Sequence, residues 1–488
     1  MTLAILGLYL MLVLAVGLYG HRLFRGTGED FFLASRTIGP FILLMTLFGT
    51  HMTAFSLLGA SGAAYHRGIG VFSLMASSSA LIAPIVFFFV GTRLWRIGKR
   101  HGLLTQVQFF RERWDSNGLA LFLFFMLVTL LIPYLLIGVM GGGITFEEIT
   151  RGQVPRWLGS LLICTVVSVY VTAGGVRSTA WANTFQTLVF MGLGAVTFIV
   201  IVRQLGGLRT ALESVDPTLL MHGERIPASM LVSYTLIPLS VGMFPHIFMH
   251  WLTARNVSTF RLPVIAYPLC IAMVWLPSVL LGVLGTSEVP GLTGPAANSI
   301  LLQMISLRAP EVLVGLLGAG VFAAVMSSLD SQILSLSTLF TQDIVGRFRL
   351  GSRMSEAQQV RLGRLFVVLL LAATYLLSLV SNRSIFRLGV WSFTGFAALF
   401  PLVIAAIYWR RSTRYGAWSA AVTVAVLWLY YFLRGWQTPD YTVGGSGLMP
   451  VAILLLTSSA AMVVGSLLGP PPDPELVDRF FPARSKSS

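Results

Sequence analysis

Thirteen apolar runs of membrane-spanning length follow one another along this chain, and no other feature constrains its fold as tightly. Crossing a bilayer takes about 20 predominantly apolar residues in a helix. Such runs fall at 3–19, 40–60, 70–90, 118–140, 157–172, 179–202, 229–250, 263–284, 311–341, 362–380, 386–408, 415–432 and 448–468. Inside a bilayer the backbone must satisfy its own hydrogen bonds, so each run predicts a helix. Composition agrees: 56% of residues are hydrophobic and only 10% are charged, whereas a soluble domain carries about 25% charged residues. The expectation is an all-α polytopic membrane protein, a single transmembrane domain over residues 1–488. The first run has neither a basic leader nor a small-residue cleavage site, so it reads as a span and not as a signal peptide.

The net charge of +15 is scattered through short loops between apolar runs, which argues against nucleic acid as a partner and leaves the lipid bilayer. Of the 33 basic residues only Lys99 and Lys486 are lysines. With the N-terminus outside and the sides alternating, 23 basic residues fall on one face of the membrane and 10 on the other. Cytoplasmic loops are the basic ones. The expected topology is therefore N-terminus outside and C-terminal tail (469–488) cytoplasmic, in the inner membrane. Cys164 and Cys270 both lie inside apolar runs, where they read as packing residues and not as a disulfide or metal pair.

Polar residues inside the apolar runs carry the functional signal. In the stretch 318–343, Ala324, Ser327, Ser328, Ser331 and Ser335 lie three and four residues apart, on one helix face, with Asp330 beside it. Small residues alone fit close helix packing. A carboxylate does not serve packing, and at membrane depth it calls for an ion, a partner or water. The run 40–60 contains Gly49, Thr50, His51, Thr53, Ser56 and Gly59. The run 229–250 contains Pro238, Gly242, Pro245, His246 and His250. Glycine weakens a helix and proline removes a donor from it. Open backbone at that depth is tolerated only where it lines a cavity or is buried in protein. Two interrupted helices five spans apart point to an inverted-repeat transporter; two harmless kinks are the alternative. His51, His246 and His250 stand on separate runs without metalloprotease spacing, which argues against a membrane enzyme.

Five motifs in order give the chain a resemblance to a known family. Residues 30–40 read DFFLASRTIGP, 170–186 read YVTAGGVRSTAWANTFQ, and 244–255 read FPHIFMHWLTAR. Residues 322–344 read FAAVMSSLDSQILSLSTLFTQDI, and 401–420 read PLVIAAIYWRRSTRYGAWSA. Together they resemble the sodium:solute symporter family over about residues 29–420, the stretch 322–344 being the most specific. The resemblance implies a leucine-transporter-like fold with 13 transmembrane helices. Core helices one to five (40–204) would repeat in inverted orientation as six to ten (229–408). A leading helix and loop (1–39) and two further helices (415–468) flank this core. It also implies sodium-coupled symport of a small organic solute by alternating access.

The family's sodium site maps onto the backbone carbonyls of Gly49, Met52 and Ala324 and the hydroxyls of Ser327 and Ser328. Some members hold a second cation with an aspartate on core helix five and serines on core helix eight. Here that aspartate is replaced by Asn183, and Asp330 stands before Ser331 where those members carry serine. The resemblance thus implies a second cation site from Asp330, Ser331 and Asn183, with the carboxylate moved to the neighbouring helix. The solute positions implied on core helix one are His51, Thr53, Phe55 and Ser56. The interruption in core helix six adds Pro245 and His246. Core helix three carries no arginine to anchor a carboxylate; Arg387 reads either as an anion-greeting group or as an interfacial anchor. A proton-coupled symporter using Asp330, or a non-transporting sensor of the same fold, are the alternatives. The solute and the oligomeric state stay open.

Overall fold

The computed structural model describes residues 1–22, 36–221, 226–346, 356–381, 383–438 and 440–481. Several sequence features fall outside them: most of the motif at 30–40, and Arg25, Arg347, Arg349, Arg353, Arg484 and Lys486 of the charge count. The helices in chain order are α1 (Thr2–Arg22), α2 (Pro40–His51), α3 (Phe55–Arg67), α4 (Phe72–His101), α5 (Gln106–Trp114), α6 (Asn117–Ile149), α7 (Arg156–Thr172) and α8 (Thr179–Gln204). Then come α9 (Ala228–Gly242), α10 (Pro245–Thr253), α11 (Val257–Glu288), α12 (Glu311–Val345) and α13 (Glu356–Val380). The last are α14 (Ile385–Tyr408), α15 (Arg414–Gly435), α16 (Pro450–Leu468) and α17 (Pro474–Phe480).

Each of the thirteen apolar runs is helical. Among the described residues nine helices are long and apolar enough to span a membrane, and two bent pairs bring the number to 11. The two runs left over are the shorter apolar helices Thr2–Gly17 and Arg156–Thr172. The runs at 157–172 and 179–202 prove to be nearly continuous, joined at Gly175, whose φ of 61° breaks the helical course. That backbone conformation is open to glycine at little cost.

Burial sorts the helices into centre and periphery. The apolar windows of α12 and α14 are 83% buried, against 22% for α13 and 28% for α8. The serine-rich α12 is therefore a central helix, enclosed on every side, and α13 presents its apolar surface to lipid. Helix α12 packs against α6, α7–α8, α2 and α10.

Both expected interruptions exist. Helix α2 ends at His51 and α3 leaves at 56° to it. Met52 between them is extended (φ −86°, ψ 100°). The next helix is restarted by Thr53, whose Oγ1 accepts from the Phe55 amide at 2.9 Å, a local side-chain cap that competes with helix continuation. A π-helical turn, Phe55–Gly59, follows. The second break bends α9 and α10 by 50°. It follows a 3-10 stretch, Ile237–Gly242, and lies at Met243–Phe244. Pro245 is then the first residue of α10, where its missing N–H costs nothing. So Pro245 starts a helix and does not kink one.

Candidate functional site

The two breaks lie side by side against the middle of α12. Gly49, in the last turn of α2, approaches α8 so closely that a Cβ there would sit 2.0 Å from Thr187 Oγ1. Only glycine lets the α2 backbone in. Its carbonyl turns to α12 and accepts from Ser327 Oγ at 2.9 Å. Ser327 Oγ also lies 3.2 Å from the Ala324 carbonyl. Ser328, one residue on, bonds back to the Val325 carbonyl at 3.1 Å. Met52 is buried at the break itself. Gly49, Ala324 and Ser327 are thus directly joined, with Ser328 and Met52 flanking them. All are neutral oxygen donors shielded from solvent, the donor set that a hard monovalent cation prefers.

A second cluster forms one turn further along α12, around the Ser331 hydroxyl. It accepts from Asn183 Nδ2 at 2.7 Å and from Thr50 Oγ1 at 2.9 Å. It donates to Asp330 Oδ1 at 3.2 Å, and His250 Nε2 stands 3.2 Å away. Asn183 Nδ2 also reaches Thr50 Oγ1 at 3.3 Å, and Tyr170 donates to Asp330 Oδ2 at 2.9 Å. Asp330, Ser331 and Asn183, taken from the sequence as one group, are brought together on a single hydroxyl. A hydroxyl has one hydrogen and two lone pairs, so four neighbours exceed what it can serve. Meanwhile Asn183 Oδ1 is buried and without a partner. An oxygen-rich cluster with a carboxylate, a spare buried amide oxygen and only neutral hydroxyl, amide and imidazole neighbours fits a small cation. Tyr170, Thr50 and His250 belong to this cluster and were not assigned to it from sequence. Tyr170 opens the motif at 170–186 and His250 lies in the motif at 244–255, so both had a signal.

The expected solute residues separate into two groups. His51 hydrogen-bonds the Tyr267 hydroxyl through Nδ1 and packs against Phe244. Tyr134 donates to the His51 carbonyl at 3.4 Å. His246 is fully buried, and neither of its ring nitrogens has a partner. Its ring stacks on Phe244 with centroids 5.1 Å apart and lies 5.9 Å from Tyr134. These residues, joined by Tyr134, Phe244 and Tyr267 that sequence reasoning missed, surround the paired breaks. Thr53 and Ser56 instead hold the restart of α3: Ser56 Oγ donates to the Thr53 carbonyl at 2.9 Å. Phe55 lies in an aromatic cluster, stacked on Phe386 at 4.9 Å and edge-on to Phe393 at 5.1 Å. Arg387 is a structural tie: one nitrogen donates to the carbonyls of Gly435, Trp436 and Thr438 at 2.5, 2.6 and 2.8 Å.

Paired broken helices, an oxygen-lined centre and a buried carboxylate define a secondary active transporter that couples a cation to a solute. The comparisons give the family. The sodium:solute symporter family model matches residues 31–423. The sodium/pantothenate symporter of Escherichia coli (strain K12) is 27% identical over 473 residues, 94% of this chain and 95% of that protein. The sodium/proline symporter of the same strain is 25% identical, covering 93% and 91%. Among solved structures, a Na+-coupled sialic acid symporter in a substrate-bound outward-open state superposes with a TM-score of 0.78 at 18% identity, covering 97% of this chain and 98% of that one. Mhp1, a nucleobase-cation-symport-1 family transporter, gives a TM-score of 0.59 at 14% identity, covering 93% and 99%. The chain belongs to the sodium:solute symporter family. Its fold is the leucine-transporter-like inverted repeat, sodium is its coupling ion, and it is a transporter and not an enzyme.

Proposed function

We propose that sodium is held by Gly49, Met52, Ala324, Ser327 and Ser328, and a second cation by Asp330, Ser331 and Asn183 with Thr50. The solute then binds at the paired breaks, on His51, His246 and the Tyr134–Phe244–Tyr267 surround, with Thr53, Phe55, Ser56 and Pro245 shaping the restarted helices. The observation that carries this reading is the 2.9 Å contact from Ser327 to the Gly49 carbonyl, which couples α12 to the break in α2. A cation arriving there replaces that hydrogen bond and draws the two helices to a common charge. The same cation is thereby linked to the geometry of His51, two residues along. Such linkage of ion and solute through one broken helix is what symport requires.

In this reading residues 40–204 and 229–408 are the two repeats, flanked by the leading helix and α15–α16. The chain crosses the inner membrane thirteen times, from an external N-terminus to a cytoplasmic tail. Pantothenate and proline, the solutes named for the two relatives, are the first to test. Uptake into proteoliposomes, with sodium and pH gradients imposed separately, is the deciding measurement. Sodium-driven accumulation is expected. Uptake driven equally well by a pH gradient without sodium would reassign Asp330 as a proton carrier.

A further inference from the structure

A cavity of about 480 Å³ opens at the Arg67 end of the bundle, which the proposed topology makes the external face. That volume falls in the range of about 300–1,000 Å³ occupied by small-molecule sites. Among the described residues its walls carry Arg67, Arg383 and Arg387, with Asp440 as their one acidic counterpart and His66 beside them. Three guanidinium groups against one carboxylate leave a surplus of two positive charges.

The guanidinium groups are not equally engaged. Arg387 is bound by the three carbonyls described above and fixes the segment that bears Asp440. Arg383 donates to Gln437 at 3.2 Å and lies over the Trp436 ring at 4.8 Å. Arg67 pairs with Asp440 through Nη2, while its Nη1 is buried away from the cavity and Tyr234 stands against the same guanidinium. A planar guanidinium offers a fork that suits a carboxylate, and Asp440 holds the reachable part of this one. Apolar and aromatic faces complete the wall: Phe386, Trp391, Tyr234 and Tyr441. Phe386 stacks on Phe55, Phe55 meets Phe393 edge-on, and Phe393 packs on Tyr134 and Phe244, so a chain of aromatic rings links this cavity to the paired breaks.

We infer that the cavity is a loading site for an organic anion, whose carboxylate displaces Asp440 from Arg67 and takes its place on the guanidinium. Its apolar body lies on Phe386 and Trp391. A cation is repelled by the surplus charge, and a zwitterion must place its ammonium among guanidinium groups. The inference rests on the transporter reading and narrows its solute to the carboxylate class.

The test separates binding from transport. Purified full-length protein is challenged with pairs of compounds, each a carboxylate and its uncharged carboxamide, covering aliphatic, hydroxy, amino and aromatic acids. Thermal stabilisation in detergent reads binding, and sodium-driven uptake of the labelled compound into proteoliposomes reads transport. At least one carboxylate is expected to stabilise the protein where its amide does not. Arg67→Gln should weaken that binding at least tenfold, and Asp440→Asn, which removes the competitor, should tighten it several-fold. Arg434→Gln, at an exposed position outside the cavity, should leave it unchanged. Asp440→Asn keeps the inference testable even if Arg67→Gln does not fold. No pair showing a carboxylate preference, or Asp440→Asn leaving or weakening the binding, overturns the site. Carboxylate binding without sodium-driven uptake of that carboxylate would keep the anion site and refute its symport.

Discussion

At the scale of single residues, the most informative event in this sequence is a displaced charge. By the resemblance to the family, Asn183 stands at an aspartate position, and Asp330 appears on the neighbouring helix. The structure joins both to the Ser331 hydroxyl, at 2.7 and 3.2 Å. A carboxylate at the membrane centre costs about 2.5–3.5 kcal/mol on insertion scales. Two hydrogen bonds from Tyr170 and Ser331 offset part of that, at about 0.5–1.5 kcal/mol each or somewhat more to a charged acceptor. In the proposed function a cation bound at this cluster offsets the remainder. Asp330→Asn should therefore lower the number of cations moved per solute, measured as charge against labelled solute. Asp330→Ser combined with Asn183→Asp should restore part of it, because the carboxylate returns to the same hydroxyl from the other helix. An unchanged stoichiometry in Asp330→Asn would remove this cluster from coupling. At the proposed sodium site, Ser327→Ala deletes a neutral oxygen without disturbing helix propensity. The half-saturating sodium concentration should rise about tenfold, the effect of losing about 1.4 kcal/mol, with surface expression near normal. Asp330 and Asn183 were legible because each breaks a motif. Thr50, Tyr134 and Tyr267 were not, since a hydroxyl on an apolar run has many structural uses and only the fold shows which hydroxyls converge.

Among elements, the two broken helices were legible as broken but not in their exact course. The polar residues of 49–56 announce an interruption, yet the helix carries on through His51 and stops at Met52. What decides the point is tertiary: Thr53 caps the restart, and Gly49 must remain helical so that it can enter against α8. Its missing side chain leaves room for the Thr187 hydroxyl, which in turn donates to the Met45 carbonyl at 3.0 Å. Gly49→Ala places a methyl 2.0 Å from that hydroxyl, well inside contact distance. The expected result is a loss of several degrees in melting temperature and a fall in uptake. Thr187→Ala in addition removes the nearest atom; the next lies at 3.4 Å and belongs to the same side chain, and the Asn183 carbonyl at 3.6 Å is in ordinary contact. The double variant should regain the melting temperature to within the small cost of the lost hydrogen bond. If it melts no higher than Gly49→Ala alone, the glycine is required for backbone freedom and not for close approach. The second break was placed by its prolines a few residues too loosely, because Pro245 at a helix start and Pro238 at a 3-10 start both look like interior kinks in sequence.

For the whole molecule, the charge count and the three-dimensional grouping of loops can be set against each other. Alternation along thirteen runs is an assumption about sequence, but contacts between loop ends belong to the fold. At one end of the bundle Arg36 reaches the carbonyl of Leu103, Trp95 reaches that of Ala254, and Arg113 is buried against the carbonyls of Ala406 and Trp409. Burial pushes the Arg113 guanidinium down to about 10, which leaves it charged at neutral pH. The tail helix α17 closes the same end, with Arg479 on Glu112 at 2.8 Å and Arg410 on Asp478 at 2.6 Å. At the other end Arg67 meets Asp440 and Met1 lies 3.5 Å from Glu311. These groupings agree with the alternation, since every loop named at the first end belongs to the set with 23 basic residues and every one at the second to the set with 10. The proposed orientation, by the positive-inside rule, puts the first end in the cytoplasm. The measurement is cysteine accessibility in whole cells, with Cys164 and Cys270 first replaced by serine. A cysteine at exposed Ser446, between α15 and α16, should react with an impermeant maleimide in intact cells. One at exposed Glu475 in the tail helix should react only after permeabilisation. The opposite pattern would invert the protein, make the Arg67 cavity cytoplasmic and turn the loading site into an exit. Labelling of both positions from outside would instead refute the odd number of crossings, since α16 alone lies between them.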